Sequence, residues 1–402
     1  MLSEKFPMSK ARLVDSIESV EKFEYYLTRY CCLFDISLKN ITPKVDFEHA
    51  ISASKLIKAE GVTKDNGRVI FADSMTLTVT EQDYFVLQEF YNFEVDAIYN
   101  FRIYEKGYLP TAFVKAILKL YKDKTELKGI AEEIVNYMIS KNMINAAYGM
   151  IVTDIVREII EYQDDIFQST KPDIEEAIKK YNESVKRFLF YPWGVWVTSY
   201  ARANLFSGIL SCGNDYIYSD TDSIKVRNYE THLEYFNAYN KVVEAKLQKA
   251  AEFHKINPSE FSPLNRKGDP KPIGVWDFEG VYDRFKTVGA KRYMYEKDGK
   301  YSLTVAGVNK EKAMQYILKN YPDPFDGLEE GLVVPGDYSG RLLLDYCKDE
   351  PCSGIVQDYL GKWGEFSELS YIHMEPTTYE LTYSIDYKAY TDALLEVRDD
   401  SW

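Results

Sequence analysis

Two aspartates one residue apart, Asp220 and Asp222, lie in the run Tyr218-Ser219-Asp220-Thr221-Asp222-Ser223, between the apolar, β-prone flanks Tyr216-Ile217 and Ile224-Lys225-Val226. A strand–turn–strand at this place would carry both carboxylates out at one tip. Hard oxygen ligands so close together suit Mg²⁺, which takes one or two carboxylates and fills its shell with water and substrate phosphates. In phosphoryl transfer two such ions, about 3.5–4 Å apart, stabilise the attacking and the leaving oxygen. The same residues also make an ordinary hairpin turn, since Asp and Ser favour turns. A calcium loop fits less well, because the glycine and distal glutamate of that pattern are missing.

A second constellation is Lys141-x-x-x-Asn145-x-x-Tyr148-Gly149, at the end of a stretch with apolar residues at Ile130, Ile134, Val135, Met138 and Ile139. Steps of four and three put Lys141, Asn145 and Tyr148 on one helical face. A lysine there can neutralise triphosphate charge, and an aromatic ring nearby can pack on a sugar or base. Gly149 leaves room for a strand of nucleic acid. Standing alone, the pattern reads better as a solvated lysine and a core tyrosine on an ordinary helix.

At 402 residues the chain is long enough for two or three lobes. Its net charge of −14 argues against a simple nucleic-acid-binding domain, which would release counterions through a basic surface. Basic residues are nevertheless concentrated in two places. Tyr104 to Lys128 holds six lysines against three acids, and Arg284 to Lys300 six basic residues against two acids. Each is a solvated face or one wall of a groove for nucleic acid. The 34 Tyr and 21 Phe serve cores and base-stacking surfaces alike. Five cysteines (31, 32, 212, 347, 352) form no CxxC and no paired framework, which points to a reduced, cytosolic protein. Four histidines (49, 232, 254, 373) show no ligand spacing. No signal peptide and no apolar run of the ~20 residues that span a bilayer is present, so a soluble protein without membrane contacts is expected.

The elements that would position these residues are mixed. Ala11 to Arg29 has helical periodicity, and Tyr30 to Ile36 reads as a strand. Asn66-Gly67 signals a tight turn, and Thr80 with Gln82-Asp83 a helix cap. Two helices are expected at Thr111–Tyr121 and Leu127–Tyr148, joined by a turn at Lys122-Asp123-Lys124. Asp154 to Phe190 is charged with a helical pattern. A helix through Arg202, the hairpin at Asp220, a helix from Tyr229 to His254 and strands at Gly274–Asp277 and Arg292–Tyr295 follow.

Taken together, these residues resemble family-B DNA polymerases, nearest to the protein-primed bacteriophage branch. The segment at 218–223 is similar to motif C. Lys141 to Gly149 is similar to motif B, Kx3NSxYG, with Ala146 in the serine position. Tyr191 to Arg202 resembles the template-contacting segment between them, and Lys291-Arg292-Tyr293 the KxY motif that holds the primer end. The likeness covers about residues 1–310, and the remainder is thumb-like. It implies an α+β right-hand polymerase with an antiparallel-sheet palm, helical fingers and a C-terminal thumb. The implied divisions are residues 1–110 (remaining palm plus a first insertion), 111–150 (fingers), 151–192 (second insertion), 193–312 (palm with motif C and KxY) and 313–402 (thumb).

The resemblance also implies roles. Asp220 and Asp222 would be catalytic and bind two Mg²⁺ ions, with Mn²⁺ as a substitute. Lys141, Asn145, Tyr148 and Lys128 would bind the incoming dNTP, and Gly149, Gly194, Lys291 and Tyr293 the primer–template DNA. The chain would act in the cytoplasm of an infected bacterial host. One motif of the family is not matched: motif A, DxxSLYP, which supplies another metal carboxylate. Phe34-Asp35-Ile36-Ser37-Leu38 is only a partial lookalike, and Met1 to Ser9 resembles the stretch just after motif A. Asp46-Phe47-Glu48 and Asp277-Phe278-Glu279 imitate an exonuclease signature without its partners. The expectation is therefore a fragment or split subunit completed by an N-terminal polymerase/exonuclease polypeptide, with a terminal protein as a further candidate partner. A catalytically inactive DNA-binding remnant is the alternative.

Overall fold

The computed structural model describes residues 1–156, 158–163, 166–185, 190–346, 352–357, 363–369 and 372–383. The chain divides into two units. One comprises residues 1–277 apart from 65–67, and the other takes 65–67 with the residues from Phe278 onward.

The first unit is organised by an antiparallel sheet in the order Arg12–Leu13, Tyr91–Tyr104, Cys31–Pro43, Arg68–Thr80, Leu56–Glu60, with Thr63–Asp65 also paired to Arg68–Thr80. Period-2 alternation makes the central strand: Cys32, Phe34, Ile36 and Leu38 are fully buried in the core under one face. Cys31 turns the other way, into a second core with Phe6, Trp196, Leu247 and Phe261. Asn66 and Gly67 take left-handed φ of 45° and 74° and close a hairpin, as their sequence indicates. The first helix is shorter than its periodicity suggests, Val20–Arg29. The Ser19 hydroxyl accepts the Lys22 N–H and starts the helix there, while Arg12–Leu13 joins the sheet edge.

The expected cap at Thr80 is a full capping box with Asp83, opening the helix Glu81–Phe90. This helix start joins the two cores. Glu81 is fully buried and accepts the Cys32 N–H (2.8 Å) and the Trp196 indole N–H (3.1 Å), with the Lys106 ammonium 3.6 Å away. Burial outweighs that ammonium and pushes its carboxyl above the ordinary value. Asp83 accepts from Ser199 and from Arg202, and so ties the same helix to Tyr191–Cys212.

Three expected elements differ. The lysine-rich stretch 122–124 is not a turn but continues the helix Thr111–Leu127, where Lys122 and Glu126 pair across one turn. Gly129, at φ 82°, makes the break before the helix Ile134–Ile151. The 154–190 stretch folds instead as an antiparallel hairpin, Ile159–Gln163 with Ile166–Thr170, followed by the helix Ile174–Glu183. Its β-branched and aromatic runs outvote its charge spacing; Arg157, 164–165 and 186–189 lie outside the described residues. Residues 274–277 form no strand, because Asn240 holds Trp276 by both backbone groups (2.8 Å each) in place of a ladder.

In the second unit a three-stranded antiparallel sheet, Arg284–Thr287, Arg292–Lys297 and Lys300–Val305, packs with the helix Lys310–Asn320 around Met294, Leu303, Ile317 and Leu328. The division at 277/278 thus falls inside the 193–312 segment, and the KxY strand lies with residues that follow it. Two strand pairs, Arg341–Tyr346 with Ile372–Thr377 and Cys352–Gln357 with Trp363–Leu369, belong to the 313–402 segment. Cys347 and the residues from 384 on lie outside the described residues. Cys31, Cys32 and Cys212 are buried free thiols, and among the described residues no helix is long and apolar enough to cross a membrane.

Two buried histidines make stability depend on pH. His49 and His254 are 6% and 5% exposed, and burial holds both below the ordinary value of 6.5. The Nδ1 of His254 meets the Thr111 hydroxyl at 2.9 Å, while its Nε2 is buried without a partner. The unfolded chain takes up these protons first, so stability present above pH 6.5 is lost as pH falls through and below that value. Urea unfolding at pH 7.5 and 5.5 should show this loss, and His254→Gln should remove part of it.

Candidate functional site

The strands Tyr216–Asp220 and Ser223–Val226 pair with Asp220 opposite Ser223, which leaves Thr221 and Asp222 as the tip. Thr221 has φ 58°, and the Asp222 N–H donates to the Asp220 carbonyl at 2.6 Å. This is a three-residue turn forced on a β-branched side chain, a strained arrangement costing about 1–3 kcal/mol. Asp220, half-buried, ends the first strand, and Asp222, exposed, lies in the turn two residues on. The Thr221 hydroxyl donates to Asp220 Oδ1 (3.0 Å), and the Ser223 hydroxyl to the Asp220 carbonyl (3.3 Å). Relieving the strain with Thr221→Gly should leave stability unchanged or raise it by up to about 1 kcal/mol, after glycine's own backbone entropy. A loss above that size in a thermal melt would show the turn to be unstrained.

The hairpin is braced at its base. Arg227 donates to the Asn214 carbonyl (2.7 Å), and Asp215 meets Asn228 and His232, each at 3.1 Å. Tyr216 donates its phenol proton to Glu48 (2.8 Å) and lies 2.9 Å from the Ser219 hydroxyl; burial, with Glu48 beside it, pushes that phenol up. Gly208 lets the hairpin seat against Tyr191–Cys212, since a Cβ there would come within 2.7 Å of Ile224 and 3.2 Å of the Trp276 ring.

The helix Ile134–Ile151 carries Lys141 and Asn145 exposed and Tyr148 half-buried. Asn145 and Tyr148 line a cavity of about 460 Å³ together with Met1, Leu2, Ser3 and Ile273; Lys141 does not line it. Nothing lies within 4 Å of where a Cβ on Gly149 would point, so a strand has room there. Gly194 is buried, and its close approach is to the protein's own Val152, 2.0 Å from an added Cβ. Lys128 is the exposed C-cap of Thr111–Leu127. In the second unit, Lys291 is exposed at φ 55°, just before the strand that carries Tyr293, whose ring stacks on Phe285 at 5.5 Å. The neighbouring cations Arg284 and Lys286 pair with Asp323 and Glu329, and Arg292 donates to the Thr382 carbonyl. Much of that basic stretch is therefore committed within its own unit.

Asp220 and Asp222 share one hairpin end, and Asn145 and Tyr148 share one cavity. Among the described residues no group of three or more His, Cys, Asp or Glu is placed to hold a metal ion. The oxygen donors at the tip fit a divalent ion chemically but amount to two carboxylates. The lookalike Asp35 sits in the central strand with its carboxylate held by Thr78 (2.6 Å) and Asn100 (2.7 Å). Asp277 pairs with Lys271 at 2.6 Å. What the sequence did not reveal is Glu48 and Glu81, whose partners lie far along the chain.

No family model matches the chain. Among curated proteins it is 24% identical over 348 residues to the DNA polymerase of Bacillus phage Nf, a match covering 81% of this chain and 51% of that protein. It is 23% identical over 355 residues to the DNA polymerase of Bacillus phage phi29, with the same coverage of each. The chain spans about half the length of the curated relatives it matches. Among solved structures, phi29 DNA polymerase complexed with primer-template DNA and incoming nucleotide substrates aligns with a TM-score of 0.54 at 15% identity, over 95% of this chain and 55% of that one. Its orthorhombic crystal form aligns with a TM-score of 0.53 at 16% identity. The shared fold is α+β. In sequence and in fold the chain is thus similar to the phi29-type phage DNA polymerases.

Proposed function

We propose that this chain is the polymerase portion of a template-directed DNA polymerase that adds dNTPs to a primer 3′-hydroxyl. The observation that supports the reading is the tight hairpin whose end carries Asp220 and Asp222, in an α+β fold shared with DNA polymerases. Two divalent ions, Mg²⁺ or Mn²⁺, bound there would stabilise the attacking and leaving oxygens. Asp220 and Asp222 are the ligands assigned in this reading, and a complete two-ion site calls for a further carboxylate. In this reading residues 1–110, with the large sheet, are the remaining palm plus a first insertion, the segment with the Asp220 hairpin is palm, Thr111–Leu127 with Ile134–Ile151 are fingers, and the C-terminal segment is thumb.

Lys141 would neutralise the triphosphate, with Lys128 as a second phosphate contact, while Asn145 and Tyr148 shape the nucleotide pocket. Gly149, Gly194, Lys291 and Tyr293 would follow the DNA. A charge-assisted contact is worth about 1.5–3 kcal/mol, so Lys141→Ala should raise the KM for dNTP roughly 10- to 100-fold. An unchanged KM would favour a merely structural helix. Primer extension by the chain alone, and with an added N-terminal polymerase/exonuclease polypeptide, tests the whole reading. Synthesis only in the mixture supports a split enzyme, and robust synthesis by the chain alone removes that part. Priming by a terminal protein is tested by supplying one in place of a DNA primer. The lack of a third acidic ligand among the described residues favours one other reading, a DNA-binding remnant without catalysis. That remnant would stay inactive in every mixture.

A further inference from the structure

The ladder of the Asp220 hairpin is irregular. Tyr216 pairs with Val226 and Tyr218 with Lys225, so a bulge lies between them. A bulge inserts one residue and re-aims all that follow; losing it would turn each later side chain to the opposite face. Beyond this bulge stand Ser219 and Asp220. One set of hydrogen bonds spans it. Because a carboxylate only accepts, the Tyr216 phenol gives its proton to Glu48 Oε2 (2.8 Å), and Ser219, at 2.9 Å, must donate to the phenol oxygen. The other Glu48 oxygen accepts the His49 N–H at 2.9 Å, which fixes the carboxylate. Phe47 packs its ring 6.4 Å from that of Tyr216.

We infer that Glu48 is a positioning residue for the metal-binding tip: through Tyr216 and Ser219 it locks the bulge register that aims Asp220. This rests on the proposed metal role of Asp220 and Asp222, and places the control of their geometry in a loop 168 residues before Tyr216. Groups that orient metal ligands typically change affinity by tenfold or more when removed.

The test is Mn²⁺ binding to the full 402-residue chain, read from the electron paramagnetic resonance of unbound Mn²⁺, beside a thermal melt. Glu48→Ala and Tyr216→Phe should each weaken Mn²⁺ binding about tenfold, while Glu48→Gln, which keeps an acceptor for the phenol, should recover most of it. Asp222→Asn should weaken binding further than any of these. Wild-type affinity in Tyr216→Phe, with weak binding in Asp222→Asn, overturns the positioning role and leaves the metal reading standing. Wild-type affinity in Asp222→Asn overturns the metal reading and this inference with it. Should Glu48→Ala fail to fold, Tyr216→Phe decides alone, since it removes one hydroxyl and keeps the ring packing.

Discussion

Asp222→Asn should lower primer extension by roughly a thousandfold in the reconstituted enzyme proposed above, the scale expected when one preorganised electrostatic group is lost from a transition state. The amide is the same size as the carboxylate and can still accept a hydrogen bond, so the change is one of charge. Asp222 is exposed at the hairpin tip, and its backbone N–H keeps its bond to the Asp220 carbonyl, so the fold and melting temperature should not change. Binding of primer–template DNA should also be retained, because the residues assigned to DNA lie elsewhere. The measurement is single-turnover extension with saturating dNTP, paired with a DNA-binding titration. Activity within tenfold of wild type would remove Asp222 from the chemistry, and a parallel loss of DNA binding would point to misfolding.

Glu81→Ala should cost the first unit about 3–5 kcal/mol, the penalty for breaking a buried ion pair on one side. The Cys32 N–H and the Trp196 indole N–H would be left without their acceptor, and the Lys106 ammonium would lose its carboxylate partner while keeping the Leu27 and Thr28 carbonyls. Glu81→Gln should cost less, because an amide oxygen can still serve one of those donors. Urea unfolding followed by tryptophan fluorescence reads both changes, with Trp196 itself at the junction. A cost below about 1 kcal/mol for Glu81→Ala would mean that the apolar packing of the two cores, and not this carboxylate, holds the helix start in place.

Legibility followed distance along the chain. The hairpin at Asp220, the cap at Thr80 and the turn at Asn66-Gly67 are written in a few adjacent residues, and the structure contains all three. The Lys141, Asn145 and Tyr148 spacing was readable for the same reason. Glu48 could not be read, since nothing in Asp46-Phe47-Glu48 announces a tyrosine 168 residues later. Nothing beside Glu81 in the sequence announces Cys32 and Trp196, which come to it from 49 and 115 residues away. Charge spacing misled at 154–190, where isoleucines and aromatics decided for strands. It misled again at Lys122-Asp123-Lys124, where Glu126 gives Lys122 a partner one helical turn on. The division beside Asp277 had no signal either, because no glycine- or serine-rich run marks it.

The adjacent thiols Cys31 and Cys32 point into different cores, so one strand serves as the shared wall of both. Two cores that share a wall cannot open one at a time. The backbone amides of that strand should therefore exchange with solvent deuterium only when the whole first unit opens, and the two halves of its interior should report the same opening free energy.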